Sequence, residues 1–209
     1  MPTIYQLKPT FQSLLRPLVN QLAQRKITPN QITITALILS LSAGSFLSLY
    51  AQFHEVLLLM PGVLLLRMAF NAIDGMLARE HHLKTPLGAI LNELGDVISD
   101  TALYLPFALI AGVSVPLIVA IVILSILSEM TGVLGVTTGG QRRYDGPMGK
   151  SDRAFVFSIV SLGIAFGLTP ALWLDLIWIA MIALLVATIF NRIYHSLQDV
   201  KSNGLDSTG

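Results

Sequence analysis

Residues 71–100, NAIDGMLAREHHLKTPLGAILNELGDVISD, hold the one dense set of side chains suited to chemistry. In the first half Asn71, Asp74, Gly75 and Ala78 stand at i, i+3, i+4 and i+7, one face of a helix. In the second half Gly88, Asn92 and Asp96 recur every four residues, again on one face, and Asp100 continues the row with some drift. Two helices joined by a short loop are neighbours, so the faces can converge. Side-chain oxygens offered by facing helices suit hard cations such as Mg²⁺ or Mn²⁺. Gly75, Ala78 and Gly88 leave room for a bulky group against the backbone, and Arg79 lies one residue beyond Ala78, where it could hold a phosphate.

The elements that position these residues belong in a membrane. The 209-residue chain is 54% hydrophobic and 12% charged, against about 25% charged residues in a soluble domain. Its apolar residues are gathered in long runs, which implies one compact bundle of spanning helices. The expected spans are 32–53, 56–73 (with Pro61 and Arg67 inside it), two from the long run 97–136 broken at 112–116, 154–168 and 171–194. The third begins earlier, near Leu87. The expected fold is all-α: six transmembrane helices preceded by an interfacial amphipathic helix. That leading helix covers 11–22, with Phe11, Leu14, Leu15, Leu18 and Leu22 opposite Gln12, Arg16, Asn20 and Gln21; a soluble helix packed on the protein is the alternative. The chain thus divides into 1–29 (interfacial helix and linker), 30–195 (membrane domain) and 196–209 (a polar tail expected to be disordered). The first residues lack the pattern of a signal peptide, so the whole chain is expected to be mature. There is no cysteine, which excludes disulfides and thiolate metal sites. The net charge of +1 gives no support for a nucleic-acid partner, and none is expected.

Basic residues set the orientation. The connections near 51–55, 112–116 and 167–170 contain no Lys or Arg, whereas the opposite segments carry Lys84, Arg142, Arg143, Lys150, Arg153 and Arg192 among others. Both termini and the loops at 80–86 and 139–153 are therefore expected in the cytoplasm. Acidic groups at membrane depth are costly and mark function by default. The bland alternative is a polar cluster satisfied by Ser99, Thr101 and water.

The stretch resembles the signature of the CDP-alcohol phosphotransferases, D-x-x-D-G-x-x-A-R, eight residues, then G-x-x-x-D-x-x-x-D. Asp74, Gly75, Ala78, Arg79, Gly88 and Asp96 match in type and spacing; Asn71 and Asn92 replace two aspartates. Pro29-Asn30-x-x-Thr33 resembles the family's lead into its first span, so the likeness covers nearly the whole chain. With both asparagines, it is also similar to a bacterial subgroup of the family.

The resemblance implies transfer of a phosphatidyl-type group from CDP-diacylglycerol, or a related CDP-alcohol, to a polar alcohol, with release of CMP in phospholipid synthesis. It implies metal ligation by Asn71, Asp74, Asn92 and Asp96, with Asp96 as general base. The CDP-linked donor would lie on Thr33, Asp74, Gly75, Ala78, Arg79 and Gly88. A homodimer among membrane lipids in a bacterial inner membrane is expected, with the site facing the cytoplasm. The asparagines leave the matched quartet only two negative charges. The site would then hold one metal tightly and a second weakly, or need the donor pyrophosphate to complete it. A protein that binds CDP-lipid without turnover is the alternative.

The loop GGQRRYDGPMGKSDRAF is rich in turn formers. Arg142, Arg143, Lys150 and Arg153 suit an anionic head group or a phosphorylated acceptor; ordinary positive-inside bias explains them equally well. Arg67 lies two turns before Asp74 and would pair with Glu129, sit near the acceptor or form a structural ion pair. His81 and His82 read as solvated loop residues. Trp173 and Trp178 read as interface anchors, and Arg192 as a residue snorkelling to the cytoplasmic side, with reach to the acceptor as the alternative. An Asp145→Cys variant, in a chain with no other cysteine, should resist membrane-impermeant thiol reagents in intact cells and label after permeabilisation. Labelling from outside would invert the topology.

Overall fold

A computed structural model describes residues 8–206, with side chains for 9–200; residues 1–7 and 207–209 lie outside the described part. All regular elements described are helical. They are α1 (Lys8–Gln24), α2 (Pro29–Leu49), α3 (Leu59–Glu80), α4 (Pro86–Tyr104), α5 (Val115–Thr137), α6 (Lys150–Ala165) and α7 (Leu172–Asp206). Short 3₁₀ turns at His54–Leu58 and Leu105–Leu109 lead into α3 and follow α4.

Local sequence explains where these helices start. Thr28 caps α2: its hydroxyl accepts from the Gln31 N–H while the Gln31 side chain accepts from the Thr28 N–H, and Pro29 follows. Thr85 does the same for α4, accepting from the Gly88 N–H at 2.9 Å, with Pro86 behind it. α6 begins at Lys150, not at 154, because Asp152 reaches back to the Gly149 N–H at 3.0 Å. α7 continues through the residues expected to begin a disordered tail, as far as Asp206.

Among the described residues, four helical segments are long and apolar enough to cross a membrane: Pro29–Leu49, His54–Glu80, Val115–Thr137 and Leu172–Val200. α4 carries Glu93, Asp96 and Asp100, and the 16-residue α6 opens with Lys150, Asp152 and Arg153. Neither meets that measure, for reasons of charge and length.

α2 packs against α3 and α4, α5 against α7, and α3 against α6. Small residues allow the closest approach: a Cβ on Gly44 would overlap the Ala102 carbonyl. The core gathers Leu47, Leu64, Tyr104, Phe107, Phe157 and Trp178. Tyr104 and Phe157 stack with centroids 4.0 Å apart, and Trp178 lies 5.1 Å from Phe157. Trp178 is fully buried, so it is a core residue and not an interface anchor. Trp173 packs at the core's edge, its indole N–H on the Thr169 carbonyl. A second cluster, Val19, Ile32, Ile73, Met76 and Leu77, seats α1 on α2 and α3. Leu14 and Leu18 of α1 stay exposed.

Trp178→Ala should therefore lose about 3–5 kcal/mol of stability, the scale of a large core truncation. Chemical unfolding in detergent checks this; an interface anchor would give a far smaller change.

Candidate active site

The motif residues surround one cavity of about 1230 Å³. α3 contributes Asn71, Asp74, Gly75, Ala78 and Arg79; α4 contributes Gly88, Asn92 and Asp96. Thr33 of α2, Lys150 of α6 and Arg142 and Arg143 of the connecting loop complete the walls. The two faces inferred from spacing do converge. Of the residues singled out for donor, metal or acceptor, Arg153 alone is not on this wall. It is buried instead, with Nη2 2.7 Å from Asp100 and 3.0 Å from Glu129.

The two motif carboxylates stand in different surroundings. Asp74 accepts from the Thr33 hydroxyl at 2.8 Å and has no salt-bridge partner among the described residues. Asp96 is covered by nitrogen donors. The Asn71 amide donates to its Oδ1 at 2.8 Å, Arg67 Nη2 lies 3.3 Å from the same oxygen, and the Lys150 ammonium contacts Oδ2. Arg67 also donates to the Asp96 carbonyl at 3.0 Å and pairs with Asp100 at 2.6 Å. Of the three options for Arg67, the structural ion pair is the one formed, and Glu129 is not its partner.

Glu129 of α5 is held by other cations: Arg153, Arg142 at 2.9 Å and Arg192 at 3.6 Å. Arg192 does not snorkel. It is buried and donates to the carbonyls of Ser128 and Asp145. Arg142 forms a fork on Glu93, with contacts of 2.5 and 2.7 Å, and lies 4.3 Å from the Tyr144 ring. Burial works to lower the Arg142 pKa, but the hydrogen bonds and charge of Glu93 outweigh it and hold the group above its ordinary value. Arg143 pairs with Asp145 and Asp199. The loop lies close over α5: a Cβ on Gly132 would come within 2.6 Å of the Arg143 carbonyl.

Two cavity features were not singled out from sequence. Asn30 reaches Gly88, where an added Cβ would stand 2.7 Å from the Asn30 Oδ1. This contact ties the start of α2 to the motif. Lys84 also faces the cavity; as a lone basic residue in a short loop, it carries no signal of its own in the sequence. His81 and His82 are absent from the wall.

The described residues contain no group of three or more His, Cys, Asp or Glu placed to hold a metal. Asp74 with the amides of Asn71 and Asn92 still offers oxygen donors of the kind hard cations take. Magnesium in particular is held by one or two carboxylates plus substrate phosphates, not by a closed protein cage. The donor set fits such an ion.

The model of the family described as CDP-alcohol phosphatidyltransferase matches residues 26–191. The chain belongs to the CDP-alcohol phosphatidyltransferase family. It is therefore a transferase of substituted phosphate groups. The chain is 49% identical over 190 residues to inner membrane protein YnbA of Escherichia coli (strain K12), covering 91% of this chain and 94% of that one. An uncharacterized protein of Aquifex aeolicus (strain VF5) is 42% identical over 101 residues, 48% of this chain and 47% of that one. Crystal structures of Mycobacterium tuberculosis phosphatidylinositol phosphate synthase share the fold at 20% identity. The complex with manganese and citrate has a TM-score of 0.70 and covers 87% of this chain and 88% of that chain. The CDP-DAG-bound form has a TM-score of 0.66 and covers 88% and 92%. Family, relative and apolar helices together describe a multi-pass protein of a bacterial inner membrane.

Within this family fold, Asp100 is the carboxylate shared by two buried guanidiniums. Asp100→Leu leaves both short of a partner and should cost about 3–5 kcal/mol. Thermal unfolding in detergent measures it, and a shift within error of wild type would show that the pairing is dispensable.

Proposed function

We propose that this enzyme transfers a phosphatidyl group from CDP-diacylglycerol to a polar alcohol, with Mg²⁺ or Mn²⁺, at the cytoplasmic face of the membrane. The observation that carries the reading is the cavity's two-part lining. Its polar end holds Asp74, Asp96, Arg79 and Lys150. From there the wall continues along α3 and α6 through Met68, Leu65, Leu64, Pro61, Ala154 and Phe155. Residues 61 to 74 of a helix span about 20 Å, long enough to receive acyl chains while the head group stays at the acids. A soluble CDP-alcohol would leave that apolar wall without a partner. The neighbouring fold with CDP-DAG bound supports the same donor.

In this reading α4 and α6 also cross the membrane, giving six spans, with α1 lying on its surface through exposed Leu14 and Leu18. The membrane domain is 30–195, following the interfacial helix and linker of 1–29. The homodimer belongs to the same proposal. The donor's phosphates lie against Arg79, Gly75, Ala78, Gly88 and Thr33. Asp74 and the amide oxygens of Asn71 and Asn92 would hold the divalent ion together with the donor's oxygens, with Asp96 beside them on α4 as the base. When bound, the ion neutralises charge on the phosphates. The acceptor lies toward Lys150, Arg142 and Arg143, phosphorylated or not.

The acceptor hydroxyl oxygen bonds to the phosphorus that carries the diacylglycerol. The bond from that phosphorus to the bridging oxygen breaks, and CMP leaves with the electron pair. The hydroxyl proton passes to Asp96 Oδ2, which faces the cavity once Lys150 moves off it. Alignment by the walls supplies much of the rate.

Purified protein in detergent, given CDP-diacylglycerol and a panel of polar alcohols with Mn²⁺, should release CMP and form a lipid product. EDTA should abolish both. Asp96→Asn should lower kcat by about 10²-fold or more, the worth of a positioned base, while sparing donor binding. Donor binding without CMP release from any pair would favour the binding-only alternative.

A further inference from the structure

We infer that the Lys150 ammonium is a built-in cation of this active site, so that the chain takes up a single divalent ion where four carboxylates would call for two. The inference rests on the metal-dependent reading above and adds to it the number of ions and the residue that replaces one.

Asp96 is already covered on both oxygens. Its Oδ1 is taken by the Asn71 amide and Arg67, and its Oδ2 by Lys150. Oδ1 thus carries two donors and Oδ2 one, so the Lys150 ammonium sits on the oxygen that still has acceptor capacity. Arg67 cannot leave, because it is buried and shared with Asp100. Lys150 can. Its side chain is 25% exposed, it stands at the first position of α6, and it lines the cavity itself. Asp96 is its one carboxylate partner among the described residues.

Charge points the same way. Lys150, Arg67, Arg153, Arg142 and Arg192 face Asp96, Asp100, Glu129 and Glu93, which leaves one positive charge in surplus. Asp74, outside those pairs, balances it. A first divalent ion at Asp74 is then matched by the donor's phosphates. A second would have no uncommitted carboxylate, because the remaining motif positions are Asn71 and Asn92. An ammonium on a flexible stem does what that second ion would do. It moves from Asp96 Oδ2 to a phosphate oxygen and leaves the carboxylate open to the acceptor's hydroxyl.

The test counts ions and leaves turnover aside. Wild-type protein in detergent with CDP as probe should take up one Mn²⁺ per chain, read by electron paramagnetic resonance of free Mn²⁺. Lys150→Met should still bind one Mn²⁺ but lose about tenfold or more in CDP affinity, the scale of one charge-assisted hydrogen bond, with Lys150→Arg recovering most of it. The triple variant Lys150→Met, Asn71→Asp, Asn92→Asp should bind two. Two ions on wild type, one on the triple variant, or unchanged CDP affinity in Lys150→Met would each overturn the inference and leave metal dependence standing. No Mn²⁺ uptake by wild type with CDP would sink both. Circular dichroism of each variant separates these outcomes from misfolding, and a misfolded triple variant leaves the decision to the wild-type count and the single variants.

Discussion

A charge placed inside a membrane bundle has to meet its opposite, and here that requirement runs through the whole site as one chain of contacts. Lys150 meets Asp96, Asp96 meets Arg67, Arg67 meets Asp100, Asp100 meets Arg153, Arg153 meets Glu129, and Glu129 meets Arg142, which ends on Glu93. Successive members sit on different elements: α6, α4, α3, α5 and the loop before α6. Removing charges from water is costly, so such pairs are poor sources of stability. What they supply is registry. Asp96, Asp100 and Glu129 are each fixed from two sides, so sliding one helix along another would separate several pairs at once. Asp96 inherits its position from that constraint, and with it the geometry of the cavity.

The apolar contacts act on a different scale. α1 is held by Val19 in the cluster with Ile32, Ile73, Met76 and Leu77. The Arg16–Glu80 pair at 3.0 Å is half exposed and adds little. Phe11 and Gln12 of α1 line the cavity. Apolar packing therefore sets where α1 lies, and α1 supplies part of the cavity's wall. Charge pairs set the register of the helices around the site, and hydrophobic clusters hold the core and seat α1.

Much of the site was legible in the sequence because a helix has a fixed period. The phases of Asn71, Asp74 and Ala78, and of Gly88, Asn92 and Asp96, were enough to bring two faces together. Legibility failed where a residue's role depends on a third element. Arg67 lies on the Asp74 side of α3, yet its partners are on α4, which no periodicity reveals. Arg153 shares a face with Lys150 at i+3, but α6 begins at Lys150, so Arg153 is already a turn inside the bundle and finds Asp100. Trp178 carries the composition of an interface anchor; only the stack of Tyr104 and Phe157 shows why it is buried. Polar composition after residue 195 reads as a break, yet α7 runs on to Asp206, because polarity alone does not end a helix.

The two asparagines follow from the same electrostatics. Asn71 Nδ2 donates to Asp96 Oδ1 at 2.8 Å. An aspartate at 71 would place a second carboxylate against the first, and two such groups at that distance cannot both stay ionised without a cation between them. With the amide, the contact is a hydrogen bond, and Lys150 neutralises what remains of Asp96. A carboxylate-rich version would need a cation to relieve its own repulsion, whereas here the amide and the ammonium remove that repulsion. Its sequence departs from the family signature in two places, and both departures remove charge. The charge that remains on Asp96 meets the Lys150 ammonium, a cation carried by the chain itself.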